Sequence, residues 1–263
     1  MKILRTFYLS LILIPVLGVY GQQLPVMPKK QFHLYLLAGQ SNMAGRGKVD
    51  SLSKQTHPRV WMLNKANEWV LATDPMHFDK PVAGVGPGLT FGKILAEADT
   101  NVYIGLIPCA VGGSSIEAWN PDSIHRQTMA YPWNDAIKRT NIALQKGTLK
   151  GILWHQGEAD CKANKTPSYG AKLTDLVKRF RKVFRQKRLP FIAGTLSDFW
   201  VAWNPDAFVI NQIINELPQK MPATAVVSSR GLTGMDDKTH FDTDGARGLG
   251  KRYAEAWLNM AKR

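Results

Sequence analysis

The chain alternates apolar runs of strand length with segments of helical spacing, and that alternation leaves few compact ways to bury both. A first run, Phe32 to Ala38, and a small hairpin, Val60 to Leu63 with Glu68 to Leu71, come before the regular series. Helix Leu89 to Ala98, strand Val102 to Ile107, helix Pro132 to Lys146, strand Gly151 to His155 and helix Tyr169 to Gln186 follow. Strand Pro190 to Thr195, helix Pro205 to Leu217, strand Ala223 to Ser228 and helix Asp244 to Ala261 complete it. Such a series predicts a mainly parallel sheet with helices on both faces. The expected architecture is a three-layer α/β/α sandwich with five main strands, decorated by the hairpin. No repeat, low-complexity stretch or long linker divides it, so residues 31–263 are expected to form one domain.

The strand ends carry the chemistry. In an open parallel sheet the carboxyl ends of the strands converge on one edge, where ligands bind. The first strand runs into Gly39-Gln40-Ser41-Asn42-Met43, a turn that exposes a serine hydroxyl beside backbone N–H groups, as acyl transfer requires. Alone this is a weak signal, because a Gly-x-Ser turn after a strand is more often only a turn. Near the other end, Asp237 and His240 are spaced so that a carboxylate can accept from imidazole Nδ1–H, leaving Nε2 to take a proton from a serine. The bland reading is a surface histidine in a polar loop. Between them lie Pro108-Cys109-Ala110-Val111-Gly112-Gly113-Ser114 and Trp154-His155-Gln156-Gly157-Glu158-Ala159-Asp160.

Other chemistries find less support. Glu158 and Asp160 have the residue types of a glycosidase acid/base pair, but nothing else in the chain supports one. They can instead buttress the turn by accepting from loop N–H groups or from Arg46. His240, Asp237, Asp242 and Asp244 can be grouped as metal ligands, yet no recognised ligand spacing occurs, so no metal or cofactor is expected. Gly84-Val85-Gly86-Pro87-Gly88 lacks the strand-loop-helix form of a nucleotide-binding loop.

Taken in order, Gly39-Gln40-Ser41-Asn42-Met43, Pro108 to Ser114, Trp154 to Asp160 and Asp237-Lys238-Thr239-His240 resemble the four blocks of the SGNH hydrolase superfamily. The most similar branch is the sialate O-acetylesterase-like group, which includes acetylxylan esterases of carbohydrate esterase family six. The resemblance spans Phe32 to Trp257 and implies a flavodoxin-like sheet and a serine esterase acting on acetylated carbohydrate, the alternatives being a carbohydrate-binding relative that keeps the fold without turnover and a lipid or short-chain ester hydrolase of the same fold. It implies that Ser41 is the nucleophile, His240 the general base and then acid, and Asp237 the orienting carboxylate in preference to Asp236 or Asp242. It further implies an oxyanion hole from the N–H groups of Ser41 and either Gly112 or Gly113, with the Gln156 amide. That position is usually Asn in the wider superfamily and Gln in this branch. Asn42 and Glu158 are expected to support the site.

Lys2 and Arg5, the apolar run Phe7 to Tyr20 and the small residue Gly21 read as a signal peptide over residues 1–21, with 22–30 a loose leader. The run of 14 residues contains Ser10 and Pro15 and falls short of the ~20 a spanning helix needs, so no stable membrane insertion is expected after cleavage. The implied location is periplasmic or secreted. Loss of Lys2 and Arg5 lowers the net charge from +14 to +12. Lys178, Arg179, Arg181, Lys182, Arg185, Lys187 and Arg188 crowd one helix end, as a solvated face or an attraction for acidic polysaccharide or an anionic surface. No nucleic-acid module is present. Whether Cys109 and Cys161 bridge is open, as is the oligomeric state. Trp119, Tyr131, Trp133, Trp200 and Trp203 are expected in loops, where exposed rings suit sugar stacking, with core packing as the alternative.

Overall fold

Seven strands form one sheet in the order β3-β2-β4-β1-β5-β6-β7. They are β1 (Phe32–Gly39), β2 (Val60–Leu63), β3 (Trp69–Leu71), β4 (Tyr103–Pro108), β5 (Thr148–His155), β6 (Phe191–Gly194) and β7 (Thr224–Val227). The computed structural model describes residues 23–262, so the predicted signal peptide and most of its cleavage region lie outside the described residues. All neighbours pair in parallel except β2 with β3. Counting only the five strands expected in the main sheet, the order is the 2-1-3-4-5 of flavodoxin-like proteins.

The expected strand count is corrected by the hairpin. β2 does not stand apart but pairs with β4, Val60 opposite Ile104 and Met62 opposite Leu106, and β3 adds an antiparallel edge. Val60, Trp61 and Leu63 are buried, and that apolar surface draws the hairpin onto the sheet.

The alternation along β1 explains both faces. Leu34, Leu36 and Ala38 join the apolar cluster under α3 (Pro132–Ala143), α4 (Thr166–Val183) and α6 (Pro205–Asn215). Tyr35 and Leu37 join the opposite cluster, under α2 (Pro87–Ala98) and α8 (Thr243–Ala261). A strand buried on both faces reads as a continuous apolar run, as β1 does. The remaining helices are short: α1 (Ser41–Ala44), α5 (Asp198–Val201) and α7 (Leu217–Lys220). Leu24 and Met27, in the segment expected to be a leader, pack against the first cluster.

β1 is the switch point. The chain builds outward to β4 and β2 on one side and then to β5, β6 and β7 on the other, so the turns after β1, β4 and β5 open into one crevice.

Candidate active site

Gly39 ends β1 at φ +128, and a Cβ there would collide with the His155 carbonyl. Only glycine lets β1 and β5 approach closely enough for the Gln40 N–H to donate to His155 O at 2.9 Å. The chain then turns into α1, with Ser41 at its first position and 5 % exposed. Ser41 and His240, at opposite ends of the sequence, meet with Oγ 2.9 Å from His240 Nε2. His240 Nδ1 lies 2.6 Å from Asp237 Oδ2. A carboxylate only accepts, so Nδ1 carries the proton and Ser41 Oγ–H donates to Nε2. Burial tends to raise the Asp237 carboxyl, but hydrogen bonds from the His240 ring and from the N–H groups of His240 and Thr239 together hold it below its ordinary value.

Asp236 and Asp242 do not take that place. Asp242 caps α8, accepting from the Gly245 N–H at 2.7 Å and from Thr233 Oγ1 at 2.7 Å. Asn42, expected as a supporting residue, donates through Nδ2 to Thr239 O at 3.0 Å and to Glu158 Oε1 at 2.6 Å, and accepts from the Phe241 N–H at 3.1 Å. Glu158 is buried, and burial lifts its carboxyl to about 7 even against the bond from Asn42.

The two glycines after β4 part company. The Gly112 N–H is already committed, donating to Asp79 Oδ2 at 2.8 Å. The same oxygen accepts from Arg46 Nη2 at 2.7 Å, a pair whose side chains are 6 % and 2 % exposed. Gly113, at φ +83, follows with its N–H without an acceptor among the described residues. Arg46 was expected beside Glu158 or Asp160; the closer anchor is Asp79. Asp160 instead accepts from the Ile116 N–H at 2.7 Å and from Gln156 Nε2 at 2.6 Å.

Gln156 lies elsewhere than expected. It is fully buried and absent from the cavity wall, its Nε2 facing Asp160 Oδ2, Ser114 O and Gln40 Oε1. The amide that reaches the cavity belongs to Gln40, whose Oε1 accepts from Gln156 Nε2 at 3.2 Å and from the Ala159 N–H at 3.3 Å. With its oxygen held on the protein side, Gln40 Nε2 is left for the cavity.

That cavity measures about 550 Å³ and is walled by Ser41, His240, Asp237, Gln40, Gly112 and Gly113, with Arg46, Lys80, Glu158, Val82, Met235 and Trp200 among the rest. Of the five aromatics expected in loops, Trp119 and Trp133 are core instead, packed against Phe180. Trp200 lines the cavity, Trp203 is 66 % exposed beneath Lys238 Nζ at 3.8 Å, and Tyr131 is exposed. Cys109 and Cys161 are both free and buried. Within the basic cluster, Arg181 is buried against the carbonyls of Leu189, Pro222 and Ala223, while Lys178, Lys182, Arg185, Lys187 and Arg188 are exposed, none of them at this cavity. Among the described residues no group of three His, Cys, Asp or Glu is arranged to hold a metal, and no helix is long and apolar enough to cross a membrane.

Asp79, Arg46 and Gln40 are positioned at the site without having been expected in these places. Gln40 stood inside the first motif; Asp79 lies in an aperiodic polar stretch with no signal to mark it.

The fold and the turns gathered at its switch point place the molecule among SGNH-type hydrolases. The model of the carbohydrate esterase, sialic acid-specific acetylesterase family matches residues 31–259, and the chain belongs to that family. It is a carboxylic-ester hydrolase. It is 30 % identical over 262 residues to an Arabidopsis thaliana protein described as a probable carbohydrate esterase, covering 90 % of this chain and 93 % of that one. The crystal structure of an Arabidopsis thaliana protein superposes with a TM-score of 0.77 at 28 % identity, over 86 % of this chain and 98 % of the other. NanS gives 0.74 at 20 % identity, over 90 % and 99 %. A carbohydrate acetylesterase from Xanthomonas citri gives 0.69 at 21 %, over 87 % of this chain and 56 % of its own. At those lower identities the likeness is one of fold.

Proposed function

We propose that the protein is an exported carbohydrate O-acetylesterase that works through an acetyl-enzyme on Ser41. The observation that carries this reading is the continuous line Ser41 Oγ, His240 Nε2, His240 Nδ1, Asp237 Oδ2, with spacings of 2.9 and 2.6 Å across its two hydrogen bonds. Ser41 Oγ attacks the ester carbonyl while His240 Nε2 takes its proton, and Asp237 steadies the imidazolium that forms. The tetrahedral oxyanion is met by the N–H groups of Ser41 and Gly113 and by Gln40 Nε2, each such donor being worth roughly 10²–10³ in rate. Collapse breaks the bond to the sugar oxygen, which leaves with the proton from His240. Water then attacks the acetyl-serine, giving its proton to His240; acetate departs and Ser41 recovers a proton.

The cavity supports a small acyl group on a polar alcohol. Arg46, Lys80, Glu158 and Asp237 share its wall with Val82, Ala159, Trp200 and Met235, a mixed lining that suits a polar alcohol carrying a small acyl group. The N-terminal segment read as a signal peptide supports export to the periplasm or beyond, and N-terminal sequencing of the mature protein checks it.

Purified protein should hydrolyse 4-nitrophenyl acetate far faster than longer acyl esters and release acetate from acetylated sugars. Ser41→Ala should remove both activities. Equal turnover in wild type and Ser41→Ala would sink the nucleophile assignment.

A further inference from the structure

The loop that follows β4 runs through three successive peptide units beside the catalytic cavity, and the outer two are held. In the first, the Val111 carbonyl accepts from the Ser114 N–H at 3.1 Å while the Gly112 N–H donates to Asp79 Oδ2 at 2.8 Å. In the third, that same Ser114 N–H fixes one end and the Gly113 carbonyl is the other. The unit between them carries the Gly113 N–H, which has no acceptor among the described residues. Whatever holds the Gly113 carbonyl therefore helps to decide where this N–H points.

The holder is His125, in a turn that no sequence motif marks. Its ring bonds to the Gly113 backbone, and that bond favours the protonated ring, so the ring donates and the carbonyl accepts. No backbone N–H reaches this carbonyl among the described residues. Partial burial, with the Lys80 ammonium nearby, holds His125 below its ordinary value, so above pH 7 the ring carries a single proton. His125 Nδ1 lies 2.8 Å from Thr128 Oγ1. With the proton on Nε2, Nδ1 accepts from the Thr128 hydroxyl, and both ring nitrogens are matched.

The turn is itself anchored. The His125 N–H donates to Ala130 O at 2.8 Å and the Thr128 N–H to His125 O at 3.2 Å, while Lys80 on the cavity wall donates to Gln127 Oε1 at 3.0 Å. It lies so close over the loop that a Cβ on Gly113 would stand 3.2 Å from Gln127 Oε1, 3.8 Å from Lys80 Nζ and 3.9 Å from His125 Nε2. Glycine at φ +83 admits that approach.

We propose that His125 is a positioning residue for the oxyanion hole: by donating to the Gly113 carbonyl it clamps the far side of the peptide whose N–H meets the oxyanion, as Asp79 clamps the near side through Gly112. The inference rests on the acyl-enzyme reading above and adds a residue that is absent from the cavity wall and acts only through the loop.

The test is hydrolysis of 4-nitrophenyl acetate by the intact protein, with kcat counted per active site after labelling with a fluorophosphonate. His125→Ala removes the donor, and His125→Asn carries an amide too short to reach the Gly113 carbonyl. Each should lower kcat about 10–30-fold with KM within about twofold, part of the roughly 10²–10³ that one whole oxyanion donor is worth. Affinity for a boronic-acid transition-state mimic should fall by about the same factor. His125→Gln, whose amide reaches one methylene further, should recover most of both losses. Per-site kcat and mimic affinity left at wild-type values in His125→Ala and His125→Asn overturn the clamp. So does a loss in His125→Gln as large as in His125→Asn, or a loss carried by KM alone. Equal turnover in wild type and Ser41→Ala overturns the acyl-enzyme reading itself, and the clamp with it.

Discussion

Asn42 holds His240 from both sides, its Nδ2 donating to the carbonyl of Thr239 and its Oδ1 accepting from the N–H of Phe241. One side chain in the serine turn thereby fixes the backbone on either side of a histidine from the far end of the chain. His240 is 23 % exposed and its loop is otherwise solvent-facing, so this grip sets the Nε2 to Oγ distance more than burial does.

Asn42→Ala should therefore lower kcat for 4-nitrophenyl acetate by about 10–100-fold with little change in KM, since misplacing the base by ~1 Å costs on that order. It should also lower Tm, because Glu158, Thr239 and Phe241 each lose a partner. A variant with wild-type kcat shows that the loop holds His240 without this grip.

Asp79 is expected to act through Gly112. Asp79→Ala frees the Gly112 N–H and leaves the Arg46 guanidinium buried without its carboxylate, so the peptide leading into Gly113 can rotate. The expected loss is about 10²-fold in kcat, with weakened binding of a boronic-acid transition-state mimic. A merely structural role would lower Tm and active fraction but leave per-site kcat and mimic affinity unchanged.

The two glutamines separate by their positions. Gln40→Ala should reduce kcat by about 10²-fold at nearly unchanged KM, because it deletes the amide that faces the cavity. Gln156→Ala should cost more stability, exposing Asp160 Oδ2 to an unfilled buried space, and should reach the reaction only through Gln40. If Gln156→Ala keeps its Tm and loses kcat while Gln40→Ala keeps kcat, the donor assignment is reversed.

The strands were legible because continuous apolar runs such as Phe32 to Ala38 report directly on burial, whereas their flavodoxin-like order was implied only by the family resemblance. Ser41, Asp237 and His240 stood out because their motifs are compact and lie at strand or helix boundaries. What was hidden depended on partners far away in sequence. The hairpin's union with β4 is a pairing choice that no local pattern encodes. A motif names Gln156 but not its rotamer, which the Asp160 carboxylate pulls inward. Trp119 and Trp133 take the core packing that stood beside the sugar-stacking reading; only their loop placement is corrected, because a short 3-10 turn and a helix start leave no periodicity to reveal a core face.

The cysteines should be silent in the folded protein. Burial pushes the Cys109 thiol up to about 11 and the Cys161 thiol up to about 12, and both side chains are enclosed. Titration with an aromatic disulfide should find no reactive thiol under native conditions and two in denaturant, the latter unchanged by prior reductant. Two thiols appearing only after reduction would show that they bridge.

Glu158 should leave a signature in the pH dependence of stability. Its carboxyl rises from 4.5 to about 7 on folding, so between those values the folded protein binds more protons than the unfolded chain. That contribution is complete below about pH 4.5 and is lost as pH climbs to about 7. Asp74, also raised to about 7 by burial, acts in the same direction. His155 and His77, lowered by burial from 6.5 to about 3 and about 4, act the opposite way, adding stability as pH rises toward 6.5. The wild-type profile mixes these opposing slopes, so the informative quantity is a difference. Glu158→Gln keeps an oxygen for Asn42 and removes only the carboxyl. Its Tm relative to wild type should become more favourable from pH 5 to pH 7.5, at about 2–4 °C per kcal/mol for a chain of this size. A difference in Tm that is flat across that interval means that Glu158 is ionised throughout and that its burial is offset by contacts other than the bond from Asn42.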